Sequence, residues 1–144
     1  MATTVDVNVL VHASDISSAL QTRAMELIQR LTRGPELFTV FWPVLLGYVR
    51  VSTHPAIFAR PLPVEDALEG VQALVDAASV RVVGEGERFW HEYRRLGQQV
   101  PARGNQVPDA TIVALMHEYG VRTIYTRDRD FRRYDDIVVI DPFE

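Results

Sequence analysis

An α/β domain built on one mostly parallel sheet is the fold class this sequence predicts, and three observations carry it. Short β-branched runs alternate with longer segments of helical apolar spacing, the pattern of strands joined by right-handed helical crossovers. The 144 residues suit a single domain, 1–144, that buries roughly two-thirds of its unfolded surface. A hydrophobic content of 47% and a charged content of 24% are those of an ordinary globular chain, and no repeat, linker or low-complexity segment interrupts it.

The first element is the stretch Thr3-Thr4-Val5-Asp6-Val7-Asn8-Val9-Leu10. It reads as a buried strand, rich in β-branched residues, that ends on the carboxylate of Asp6. An acid at the carboxyl end of a central strand lies where open α/β sheets place their sites. A loop over 11–15 and a helix over 17–33 follow, the helix stopped by Gly34-Pro35. Residues 37–40 read as a second strand. A second helix starts near Trp42-Pro43, where proline is tolerated in the first turn, and ends before His54-Pro55. Gly47 sits in its middle, where glycine costs about 1 kcal/mol relative to alanine, so close backbone packing is one reading of it.

Residues 55–62 form a proline-bearing connection, 63–78 a third helix, 80–83 a third strand and 84–86 a turn. A fourth helix covers about 86–97. Gly104-Asn105 is a loop, and Pro108-Asp109-Ala110 opens a fifth helix running to Gly120. Residues 122–125 and 137–140 are strands four and five.

Composition excludes several chemistries. With no cysteine, disulfides, thiolate catalysis and cysteine-ligated zinc are absent. All 15 basic residues are arginine, so mechanisms that need an ammonium group are excluded, P-loop phosphate binding and Schiff-base chemistry among them. No signal peptide or apolar run long enough for a membrane span is evident, and a cytoplasmic location is expected. The net charge of −4 argues against a general affinity for nucleic acid. Yet Arg127, Arg129, Arg132 and Arg133 form a local basic run where a polyanion can be held.

Three features bring acids toward one sheet edge. Asp6 ends strand one, Asp128 and Asp130 follow strand four, and Asp109 lies in the first turn of the helix leading into strand four, where the helix dipole favours a carboxylate. If strands one and four are neighbours, these acids converge. Carboxylates packed together repel unless protonated or bridged by a cation. Oxygen ligands without cysteine or a histidine pair imply Mg²⁺ or Mn²⁺. Glu118, nine residues beyond Asp109, is about half a turn out of phase and should point away. His12, His54, His91 and His117 have no metal-ligand spacing. Taken singly, Asp109 can equally be a helix-start acid and Asp128-Arg129-Asp130 a solvated turn.

Together, Asp6-Val7-Asn8-Val9-Leu10, Val107-Pro108-Asp109-Ala110 and Thr126-Arg127-Asp128-Arg129-Asp130-Phe131 resemble the three signature blocks of PIN-domain proteins. The chain length and the block from Trp42 to Pro55 are similar to VapC toxins of bacterial toxin–antitoxin pairs. The resemblance implies a parallel sheet of order 3-2-1-4-5 and a Mg²⁺-dependent endoribonuclease. It implies Asp6 and Asp109 as catalytic metal ligands, Asp128 as a catalytic acid that completes the metal site or positions the attacking water, Asp130 as a supporting acid at the metal, and Asn8, Arg50 and Arg127 as substrate-binding or supporting residues. It further implies an RNA substrate, a VapB-like antitoxin and a homodimer. One position departs from the pattern: Gly47, ahead of Arg50, stands where the family usually has a glutamate. That leaves the metal site one acid poorer and predicts at most one tightly held Mg²⁺ without substrate. The alternative reading is a catalytically impaired PIN-like module that binds RNA or protein.

Overall fold

The computed structural model describes residues 1–58 and 60–144. Five strands form one sheet in the order β3-β2-β1-β4-β5, and all four neighbouring pairs are parallel. They are β1 (Ala2–Val5), β2 (Leu37–Phe41), β3 (Val80–Val83), β4 (Val121–Tyr125) and β5 (Val138–Ile140). Six α-helices connect them: α1 (Val7–Ser14), α2 (Gln21–Arg33), α3 (Trp42–Ser52), α4 (Val64–Asp76), α5 (Phe89–Gln99) and α6 (Val107–Tyr119). Single 3₁₀ turns at Gly104–Gln106 and Arg129–Arg133 complete the described chain. The order expected from the family resemblance is the order observed.

The chain first builds outward from β1 to β3, then returns to place β4 on the other side of β1. The crevice between the carboxyl ends of β1 and β4 is therefore the topological switch point of the sheet. These strands pair with Thr3 beside Thr123, Thr4 beside Ile124 and Val5 beside Tyr125. The centre is fully enclosed: Val5, Phe38, Val40, Phe41, Val113, Leu115 and Ile124 are all 0% exposed. The left-handed Gly120 (φ 68°) ends α6, a conformation that favours glycine, and turns the chain directly into β4.

Two expectations need correction. The strand read over Thr3–Leu10 stops at Val5, and Val7–Ser14 is a helix rather than strand and loop. Asp6 causes the break. Its backbone is extended at the N-cap position, and its side chain accepts the N–H of Val7, the first residue of α1, at 2.7 Å. Val9, Leu10 and Val11 are all buried, so this part of α1 lacks the polar positions that reveal a helical period. The helix expected from residue 17 begins only at Gln21, after two turns. Elsewhere the elements fall within a few residues of expectation. The connection expected over 55–62 includes position 59, which lies outside the described residues.

Gly47 is explained by packing. A Cβ placed there would meet Val7 Cγ2 of α1 at 2.9 Å, so at this close crossing of α3 and α1 any side chain would have to displace Val7.

Candidate metal centre

Asp6 follows β1 without a gap. Its N–H donates to the Tyr125 carbonyl at 3.1 Å, carrying the β1–β4 pairing one residue past the strand and fixing the carboxylate at the crevice. Capping α1 occupies Oδ1. Oδ2 accepts the Thr126 hydroxyl at 2.9 Å and the Asn8 amide at 3.1 Å. Thr126, the residue after β4, in turn accepts Asn8 Nδ2 at 3.0 Å and the Asp128 N–H at 2.9 Å through the same Oγ1. Asn8 Oδ1 takes the Arg127 N–H at 3.3 Å. One short network thus ties the end of β1 to the loop after β4.

That loop carries Asp128, whose Oδ1 accepts the Asp130 N–H at 2.9 Å and caps the 3₁₀ turn. Asp109 enters from the first turn of α6. Asp6, Asp109 and Asp128 each offer a carboxylate oxygen, and these atoms lie within 4.8 Å of one another. The three acids come from positions 6, 109 and 128, as the sequence predicted. Asp130 lies outside this triangle: it is exposed, and it acts on the triangle through its N–H to Asp128 and its charge on Asp109.

The three carboxylates lie close enough to raise one another's proton affinity. Burial raises the pKa of Asp6, opposed by its hydrogen bonds from Val7 and Thr126. Asp109 is pushed up to about 7, first by burial and then by the negative charges of Asp128 and Asp6. Three hard oxygen donors at this spacing, with no cysteine or histidine among them, fit a small divalent cation.

A groove of about 970 Å³ opens over the cup, lined by Asp6, Asn8, Asp109, Gly47 and Arg50 among others. Arg50, predicted as supporting, is an exposed cation on its wall. Arg127 joins through its main chain, while its guanidinium lies 5.7 Å from the Phe143 ring centroid. Glu118 points away, as its phase predicted, accepting the Gly86 and Arg88 N–H groups at 3.0 Å each.

Sequence reasoning assigned no role to Thr126, the atom-level hub of the site. Its signal was present: a threonine at the end of a central strand, two residues before an acid. His12 was also passed over. It lines the groove, its Nδ1 lies 2.7 Å from Ser18 Oγ, and its pKa is lowered by burial and by Arg127.

The PIN domain family profile matches residues 4–137, which includes all three acids. The chain belongs to the PIN-domain family. Ribonuclease VapC48 of Mycobacterium tuberculosis is 46% identical to it over 143 residues, 99% of each chain. Ribonuclease VapC43 of the same organism is 36% identical over 132 residues, 90% of this chain and 88% of that one. Among solved structures, VapC20 of Mycobacterium tuberculosis, described as a sarcin–ricin loop cleaving toxin, matches with a TM-score of 0.69 at 16% identity, over 94% of this chain and 96% of that one. VapBC2 of Rickettsia felis, solved with a promoter DNA fragment, matches at 0.66 and 14% identity, over 96% and 97%. At such identities the structural likeness speaks for the PIN fold alone. No helix among the described residues of this PIN domain is long and apolar enough to cross a membrane.

Proposed function

We propose that this PIN domain is a Mg²⁺-dependent endoribonuclease and the toxin of a toxin–antitoxin pair, silenced by a VapB-like antitoxin and acting in the cytoplasm. The observation that carries the reading is the Asp6–Asp109–Asp128 triangle, two of whose members, Asp6 and Asp109, line an open groove. The ribonuclease names of the VapC48 and VapC43 relatives support it.

In this reading Asp6, Asp109 and Asp128 hold the cation, with Mn²⁺ as a substitute for Mg²⁺. The bound ion supplies a water of lowered pKa and charge stabilisation at the phosphate. Thr126 and Asn8 keep Asp6 oriented, because each oxygen of its carboxylate already has a fixed donor. Asp128, held by its main chain, positions the water. Asp130 supports Asp128 from outside the ligand set. Arg50 and Arg127 contribute cations that draw the RNA backbone toward an otherwise negative floor.

An antitoxin segment that places a cation in this cup satisfies the same carboxylates and closes the groove. The exposed Trp42 at the start of α3 supports a homodimer. The test is cleavage of single-stranded RNA with Mg²⁺. Activity lost in Asp6→Asn and Asp109→Asn supports the reading. Equal weak activity in all three proteins points to contamination. RNA binding without cleavage favours the impaired module, whose one structural argument is the Gly47 position.

A further inference from the structure

A second concave surface lies beside the acidic cup, on the α2 side of the sheet. Tyr125 closes β4 immediately before Thr126, and its carbonyl accepts the Asp6 N–H. Arg30 of α2 holds its guanidinium 5.9 Å from the Tyr125 ring centroid. Two hollows meet at this pair. One of about 350 Å³ is bordered by Arg23, Arg30, Tyr125, Ile140 and Pro142. The other, of about 200 Å³, continues past Arg30 along Gly34 and Pro35. Arg23 also donates to the Phe143 carbonyl at 2.7 Å, and Arg127 lies against the Phe143 ring. Phe143 thus links the groove to Arg127.

We propose that this groove is an RNA subsite for the single-stranded segment adjoining the scissile phosphate. Arg23 and Arg30 take backbone phosphates, and a base rests against Tyr125, Ile140 and Pro142. The proposal rests on the ribonuclease reading. The two arginines and the ring beside them support it. Among the described residues neither Arg23 nor Arg30 is in a salt bridge, and both are exposed. A guanidinium presents a planar fork that matches phosphate oxygens. Arginine interleaved with an aromatic ring and an apolar wall is the surface that holds unpaired bases, since every base has a π-face. A duplex cannot place a base there without unstacking it, so the ligand is single-stranded. Glu26 and Glu36, one at each hollow, balance the two arginines in formal charge, so phosphates are held by the individual guanidinium forks and not by a net positive field.

The experiment is equilibrium binding of a labelled, unstructured oligouridylate in Mg²⁺ buffer, with Asp109→Asn as the common background so that the probe is not cut. Adding Arg23→Gln and Arg30→Gln should weaken binding at least several-fold. It should also reduce the slope of log affinity against log salt by about 0.7 for each phosphate that is no longer neutralised. Glu26→Gln should tighten binding, because a like charge leaves the groove. Tyr125→Phe should bind as the parent does, and Tyr125→Leu more weakly. Unchanged affinity and slope in the double arginine variant overturn the proposal, as does a Glu26→Gln variant with no gain. The two readings fail separately. If the unmodified chain does not cleave RNA but these shifts occur, the catalytic reading falls and the groove stands. If it cleaves and the shifts are absent, the groove alone falls.

Discussion

Thr126 Oγ1 donates to Asp6 Oδ2 at 2.9 Å while accepting the Asp128 N–H at 2.9 Å. A single hydroxyl, 1% exposed as a residue, therefore sets the spacing of two of the three acids. Buried networks of this kind behave as units, because each bond fixes the direction of the next.

Thr126→Val keeps the shape of the side chain and removes the hydroxyl. It should lower Mg²⁺ affinity or cleavage by about 10–100-fold, the usual cost of losing a support behind a metal ligand. It should also cost about 1–3 kcal/mol of stability, since the Asp128 N–H loses its acceptor. Thr126→Ser should recover most of both. Urea unfolding alongside Mg²⁺ titration reads the two effects separately.

The raised pKa of Asp109 has a definite sign in stability. Without metal, the folded state holds this proton up to about pH 7, whereas the unfolded chain releases it near 3.8. The folded state binds more protons across that window, so stability falls as pH rises from about 4 to about 7. Asp109 is only partly buried, so screening by solvent reduces the effect to on the order of 1 kcal/mol. Asp109→Asn should flatten this slope and be the more stable protein above neutrality, as followed by urea midpoints across pH.

In the proposed cation site the same group couples metal binding to its proton. A cation needs the ionised carboxylate, so Mg²⁺ affinity should rise with pH up to about 7 and then level off. Below about pH 7 binding should release a proton, measurable as a buffer-dependent heat. Affinity independent of pH would place the ion elsewhere.

Gly47→Ala sets two terms against each other. Alanine gains about 1 kcal/mol of helix propensity. Its Cβ would press on Val7 Cγ2, and Val7 is β-branched and stiff in α1. Overpacking of this kind costs about 1–3 kcal/mol, so the variant should be destabilised in the native background. In a Val7→Ala background the conflict is gone, and the same substitution should stabilise. Thermal unfolding of the four proteins tests this reversal of sign.

The parts of this molecule legible in its sequence are those that depend on residue type and spacing. Asp6, Asp109 and Asp128 could be named because each follows a strand or opens a helix, and family resemblance supplied the strand order that brings them together. α1 was misread because its valines carry the β-branched signature of a strand, and its buried middle leaves no alternation to expose a 3.6-residue period. The N-cap role of Asp6 emerges only from the structure. Thr126 escaped notice because its importance lies in three partners at positions 6, 8 and 128, which only the fold brings together. Gly47 was read partly correctly: close packing was one expectation, but its partner Val7 was then assigned to a strand, not to a facing helix.

The central claim is that three carboxylates form one cation site. Calorimetric titration of the unmodified chain with Mn²⁺ or Mg²⁺ tests it most directly, with Asp109→Asn as the control. One strong site, lost in Asp109→Asn, is the expected result. No binding, two strong sites, or an isotherm unchanged by Asp109→Asn would contradict it.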